Sequence, residues 1–385
     1  MAFKAGRKVR ATTPQGEAYF AFIPEPINKP FVWQDQRITT LLEEASVKLG
    51  ELNAYSKLVP DVDYFIQSHV AKEAETSSRI EGTKTTLEEL YTDKEDIDPE
   101  RVDDQEEVQN YIRALNEAIQ TIRTPGKPPL SMRVIRDAHQ ALLSGVRGHN
   151  RHPGEIRQVQ NKIGGSAGTL KDAVFIPPRP EDLPPLLNDL EHFWHNRELE
   201  MPELIKIALS HYQFETIHPF EDGNGRIGRV LIVLQLMAYG ILEKPTLYLS
   251  SHFEKHRAEY YDALSAVRES NRIEDWLRFF LTGLRDTAKR GRDTLEAIID
   301  LRKRYEDLLE GIGPKRQKLA KKLLLGLFTK PVVTAKDVEA MLNVTKPTSH
   351  ALVNDLHRIG VLSEKTGRSK NRVYALKDYL ELFSN

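Results

Sequence analysis

The chain has 385 residues, with 55 Lys and Arg against 56 Asp and Glu, 40% hydrophobic and 29% charged residues, and no cysteine. That length exceeds one ordinary core and predicts about two or three domains, while the missing thiols exclude a disulfide-stapled framework and thiol catalysis. No stretch approaches about 18 consecutive apolar residues and the first ten residues lack an apolar signal core, so no membrane segment is expected and the location expected is cytoplasmic.

Residues 1–35 contain Pro24, Pro26 and Pro30 and read as an extended arm, followed by helices from Asp35 to Gly82. In the second of these, Pro60 and Asp61 mark a helix start, Val62, Phe65, Ile66, Val70 and Ala74 keep helical spacing, and Gly82 is a natural stop. Glu81 of Ser77-Ser78-Arg79-Ile80-Glu81-Gly82 then falls in the last turn, where the negative end of the helix dipole disfavours an acid. It is either exposed, paired locally with Arg79 or Lys84, or held there for a purpose. The acidic run from Tyr91 to Glu107 reads as a solvated linker and helix start.

Helical periodicity continues over Val108–Ile122, Ser131–Leu143 and Pro185–His195, and onward through residue 300. Residues 154–180 break it with short β-rich runs around Ile163, Gly164, Gly165 and Ser166, predicting a hairpin.

Residues 218–229, His-Pro-Phe-Glu-Asp-Gly-Asn-Gly-Arg-Ile-Gly-Arg, concentrate a base, acids, glycines and two arginines ahead of the apolar run 230–237. Gly223, Asn224 and Gly225 therefore mark a loop entering a helix, where unpaired N–H groups and the helix dipole welcome an anion. Arg226 and Arg229 are three apart, share a helix face and can clamp a polyphosphate. Asp222 can hold the Mg²⁺ that accompanies a nucleoside triphosphate, and His218 can act as general base. The stretch 223–228 also fits G-x-G-x-x-G, but helical spacing of Leu204, Ile207, Ala208, His211 and Tyr212 stands where a dinucleotide fold needs a strand. His211 and His218 lack zinc-ligand spacing.

The segment 314–385 carries 14 Lys and Arg against 6 Asp and Glu, a net +8 in a chain of net −1. A capped helix over 334–342, a turn at Asn343-Val344, a helix from Lys346 to Ile359 and strands at 361–363 and 372–376 resemble a winged-helix domain. Its second helix could enter a major groove, with Arg368, Lys370 and Arg372 meeting phosphates. The same architecture also serves protein contacts.

The 218–229 segment resembles the signature of the Fic (filamentation-induced, Fic/DOC) family, His-Pro-Phe-x-Asp/Glu-Gly-Asn-Gly/Lys-Arg-x-x-Arg, with every fixed position filled. The resemblance implies a mainly α fold, a Fic-type helical core with a small β-hairpin flap, and transfer of AMP from ATP to a protein Ser, Thr or Tyr hydroxyl. It casts His218 as base, Asp222 as Mg²⁺ ligand, Gly223, Asn224 and Gly225 as the α- and β-phosphate hole, and Arg226 and Arg229 as the β- and γ-phosphate clamps. Phe220 becomes a core anchor. Ser77-x-x-x-Glu81-Gly82 resembles the family's inhibitory motif, in which the glutamate pairs with the second arginine, here Arg229, and displaces the ATP γ-phosphate; Ser77 would fix that helix.

The flap, residues 154–180 with Ile163, Gly164, Gly165 and Ser166 at its nucleotide-side tip, would hold a target by strand addition. Tyr260 and Tyr261 match a segment lining the adenine pocket in relatives, or belong to the core. The division expected is 1–107 with the inhibitory motif, 108–290 as Fic core, 291–313 as helical linker and 314–385 as winged helix. A homodimer is expected by the same resemblance. Two other outcomes stay open: a DNA-binding regulator with a nucleotide-sensing Fic domain, and removal of AMP from modified proteins.

Overall fold

A computed structural model describes residues 2–13, 16–59, 61–124, 129–165, 169–368 and 371–383. The proline-bearing N-terminus is not an extended arm. Strands β1 (Gly6–Thr12) and β2 (Ala18–Pro24) pair antiparallel over their whole length, and the prolines fall at or after the end of β2. Proline cannot donate to a ladder, so it ends the strand without preventing it.

Helices α1 (Gln36–Leu58) and α2 (Val62–Ile80) follow. Asp35 caps α1 by accepting from the Arg37 N–H, satisfying one of its unpaired amides. Asp61 starts α2, and Gly82 closes it at φ +109°, a conformation open to glycine. Pro60, also expected at that start, lies outside the described residues.

The acidic segment forms three short 3₁₀ turns and runs into α3 (Val102–Arg123), earlier than the predicted start at Val108. It is not wholly solvated. Gln105 and Glu107 are buried, because α3 turns that face towards α2 and the helix carrying the arginines.

Helices α4 (Met132–Leu142), α5 (Leu183–His195), α6 (Glu203–Ile217) and α7 (Asn224–Ala238) build the centre. α6 and α7 are buried along nearly their whole length and pack on each other, giving the site between them a rigid frame. α8 (Ser250–Lys255) and α9 (Arg257–Ser270) lead into α10 (Ile273–Leu308), whose 36 residues pack along α1. The expected boundary at 290 therefore falls inside one continuous helix.

The C-terminal part comprises α11 (Pro314–Thr329), β3 (Val332–Thr334), α12 (Ala335–Leu342), α13 (Lys346–Arg358), β4 (Ser363–Glu364), β5 (Val373–Ala375) and α14 (Lys377–Glu381). Its sheet has the order β3-β5-β4. Thr334 and Asp337 form a reciprocal capping box at α12. This part lies against α2: Phe328 packs edge-on to Phe65 at 5.0 Å, and its carbonyl accepts from the Ser68 hydroxyl. Arg368, expected to be free for phosphates, is paired at 2.6 Å with Asp96 of the acidic segment; Lys370 lies outside the described residues.

Candidate active site

α6 ends at His218, which takes a left-handed conformation (φ +51°, ψ 62°). A non-glycine residue stays there only when its surroundings hold it. Arg157, fully buried, supplies that hold by donating Nε–H to the His218 carbonyl at 2.9 Å and further bonds to the carbonyls of Val159 and Pro178. Burial, then the charges of Arg157 and Arg268, pull the His218 pKa down to about 3, so its imidazole is neutral at pH 7. Its Nδ1 is buried without a hydrogen-bond partner.

The loop is closed from inside. The Asn224 side chain accepts from the Phe220 N–H and donates to the Phe220 carbonyl, both at 2.8 Å. Its side chain thereby braces the loop ahead of the first α7 turn. Phe220 is fully buried and stacks on His139 at 3.8 Å. His139 accepts the Gly154 N–H at Nδ1, which leaves Nε2–H to donate to the Asp222 carbonyl at 2.9 Å. The Asp222 carboxylate is about half exposed (46%) and accepts from the Gly223 N–H. One accessible carboxylate beside a phosphate-type loop fits Mg²⁺, which takes one or two protein carboxylates plus phosphate oxygens.

Gly223 sits at φ +73° and begins α7, so Gly225 and the arginines occupy its first turns. Arg226 and Arg229 share that region but part company in their contacts. Arg226 pairs at 3.2 Å with Glu107, which also meets Arg147 at 3.1 Å. Burial outweighs both cations and raises the Glu107 pKa above its usual range.

Arg229, also buried, donates Nε–H to the Ser77 hydroxyl at 2.7 Å, and Nη2 to the Ser77 carbonyl at 2.9 Å and to Glu81 Oε1 at 2.7 Å. Ser77 therefore engages the arginine directly in addition to standing in α2. Glu81 is the residue just past the last turn of α2, and its partner is not the nearby Arg79, which pairs with Glu75 and Glu254. Burial alone would raise the Glu81 carboxyl, but Arg229 and then Arg226 hold it below the usual carboxylate range. A methyl group built on Gly225 would lie 2.4 Å from Glu81 Oε1. The carboxylate thus fills the space against the first turn of α7.

Among the described residues, the predicted hairpin is reduced to one bridge, Ile163 to Phe175, flanked by Gly164 and Gly165 at positive φ. Ile163 and Phe175 exchange backbone hydrogen bonds at 2.8 and 3.1 Å, the Phe22 N–H of β2 donates to the Ile176 carbonyl, and the Asn161 side-chain amide donates to the Phe220 carbonyl at 2.6 Å. These contacts tie the segment to the motif loop. Ser166 of the expected tip lies outside the described residues.

Tyr260 is buried, and its hydroxyl donates to His211 Nε2 at 2.9 Å while His211 Nδ1–H donates to the Gly228 carbonyl. That chain locks α6, α7 and α9 together. Tyr261 is 39% exposed and its ring lies tilted against that of Tyr260 at 5.1 Å.

Fold and loop together set a histidine and two arginines around the start of a buried helix. The chain belongs to the Fic/DOC family: the family's N-terminal domain matches residues 39–120 and its Fic domain residues 129–236. It is similar to the protein adenylyltransferase Fic of Aedes aegypti, 31% identical over 151 residues (39% of this chain, 27% of that protein). It is also similar to the Drosophila grimshawi protein of the same name, 28% identical over 276 residues (69% of this chain, 51% of that protein). The chain thus spans about half or less of these relatives' length.

Among solved structures, it matches a Fic family protein from Desulfovibrio desulfuricans G20 with a TM-score of 0.56 at 21% identity, covering 90% of this chain and 98% of that one. C. elegans Fic-1 matches with a TM-score of 0.51 at 20% identity, covering 69% of this chain and 73% of that one. Both likenesses concern the fold.

Proposed function

We propose that the chain is a self-inhibited protein adenylyltransferase, which moves AMP from ATP to a Ser, Thr or Tyr hydroxyl. The observation that carries this reading is the Glu81 carboxylate lodged between Arg229 and the backbone of Gly225. A carboxylate there stands in for a phosphate oxygen: it satisfies the same cation and the same helix start. The name shared by the curated relatives supplies the reaction class.

The hydroxyl oxygen attacks the α-phosphorus in line and its proton passes to the neutral imidazole of His218. The bond from the α-phosphorus to the bridging oxygen breaks, and pyrophosphate leaves. Arg226 and Arg229 hold the β- and γ-phosphates, and the first turn of α7 offers N–H groups to the chain of phosphates. Asp222 would hold Mg²⁺, which neutralises the charge that gathers on the departing pyrophosphate. Glu81 opposes this by keeping Arg229 from the γ-phosphate.

The reaction class is tested on a Glu81→Gly protein supplied with Mg²⁺ and ATP labelled at either the α- or the γ-phosphorus. The α label is expected to enter protein as AMP, seen by mass spectrometry, and His218→Ala is expected to abolish it. Incorporation of the γ label would contradict the proposal.

A further inference from the structure

Beside the motif, β2 and the segment around Val174 to Ile176 form the two walls of a groove of about 360 Å³. The Phe22 N–H donates to the Ile176 carbonyl at 2.9 Å, so the walls are joined by the backbone at the floor. Phe22 and Phe175 lie tilted against each other there at 5.9 Å. Arg268 covers the Phe175 ring at 4.0 Å and donates to the Thr216 hydroxyl at 3.1 Å, two residues before His218. Arg268 thus links the wall of the groove to the C-terminal end of α6, where the catalytic imidazole is proposed to act.

Its rim is unlike its floor. Phe20 is 60% exposed and Val174 75%, an apolar pair facing water across the opening. The register sets Arg10 opposite Phe20 and Lys8 opposite Phe22, so both cations share the face of the hairpin that these aromatics use. Lys8 and Arg10 are exposed, and among the described residues neither has a carboxylate partner. Lys171 on the opposite wall is engaged by Glu17 at 3.1 Å, and Glu269 is the acid at this opening.

Exposed apolar side chains beside uncompensated cations describe a surface waiting for a partner of complementary character. A nucleic acid would need several free aromatic faces for stacking; here Phe22 is buried and Phe175 is already covered by Arg268. An extended polypeptide suits the site, because its side chains alternate and it can set apolar groups between Phe20 and Val174 while presenting acids to the rim.

We infer that the hairpin β1–β2 and residues 173–176 together form a selective docking groove for an extended target segment in which acidic residues flank apolar ones. The inference rests on the adenylyltransferase reading for its role, since it names the class of protein segment carrying the modified hydroxyl. Lys8 and Arg10 act in selection and touch none of the reacting atoms.

The test measures fluorescence anisotropy of labelled Glu-Leu-Glu-Val-Thr-Val-Glu-Leu-Glu, without nucleotide, against its lysine-for-glutamate counterpart and a single-stranded oligonucleotide. The acidic peptide is expected to bind best and to lose affinity as salt rises. Lys8→Glu with Arg10→Glu should weaken it about tenfold, and Phe20→Ser should weaken it further. These side chains are exposed, so circular dichroism should remain that of the parent. Equal binding of both peptides, an unaffected charge-reversal variant, or tighter binding of the oligonucleotide would overturn the inference. Because no nucleotide is present, failure of AMP transfer leaves this result standing, whereas loss of the charge preference with AMP transfer intact overturns the groove alone.

Discussion

Glu81 Oε1 lies 2.7 Å from Arg229 Nη2 across 148 positions of sequence, and the same oxygen rests against Gly225. One carboxylate thereby engages both the cation and the start of the helix. Ser77, one turn earlier in α2, takes the remaining hydrogen bonds of the arginine. The whole arrangement depends on where α2 stands, and α2 is held from its other end by the C-terminal part through Phe65, Ser68 and Phe328.

Removing the Ser77 hydroxyl should loosen this lock without abolishing it. Ser77→Ala leaves Arg229 Nε–H buried and unpaired, which costs about 1–3 kcal/mol. A lower unfolding midpoint and AMP incorporation between those of the wild type and Glu81→Gly are expected. Incorporation equal to the wild type at unchanged stability would show that the hydroxyl does not restrain Arg229.

The protonation of His218 has a definite sign. Its pKa is lowered from 6.5 to about 3 by burial first and by Arg157 and Arg268 after it, so the folded protein keeps a neutral imidazole down to acid pH. The unfolded chain takes up that proton below about 6.5, so the residue's contribution makes folding less favourable as pH falls from 6.5 towards 3. Nitrogen-15 NMR of the histidine ring should show no titration between pH 5 and 8. A midpoint near 6.5 would contradict the buried setting.

Glu107 anchors Arg226 as Glu81 anchors Arg229, but from a buried position. Glu107→Ala strands a buried guanidinium and should cost about 3–5 kcal/mol in urea unfolding. Glu107→Gln, which keeps a hydrogen-bond acceptor, should cost less. Equal losses for both would mean that the shape of the side chain matters and its bonding does not.

Arg157 holds the His218 backbone in its left-handed turn. Arg157→Met is expected to lower the rate of AMP transfer in a Glu81→Gly background while leaving ATP affinity nearly unchanged, because the phosphate groups bind elsewhere on the loop. Calorimetry with ATP beside the labelling rate separates the two. A parallel loss of both would indicate general unfolding of the loop.

The parts of the site that were legible in the sequence are those with local logic. Glycines before an apolar run, a base ahead of them and arginines after them specify a loop and helix start within a dozen residues, and Glu81 stood out by sitting at the wrong end of a helix. Glu107, Arg157 and His139 were missed because their partners lie 119, 61 and 83 positions away. Within an acidic run, nothing local distinguishes a buried Glu107 from its solvated neighbours. A signal did exist: Val108, Tyr111 and Leu115 put an apolar stripe on α3, and Gln105 and Glu107 adjoin it. The N-terminal strands were obscured by Pro24, Pro26 and Pro30, which mark the end of the hairpin.

Restraint of Arg229 by Glu81 is read out by the initial rate of α-labelled AMP incorporation at saturating Mg²⁺ and ATP in the wild type and Glu81→Gly. A rise of about tenfold or more, equivalent to at least about 1.4 kcal/mol of released coupling, is the predicted result. Equal rates for a folded Glu81→Gly protein would contradict it.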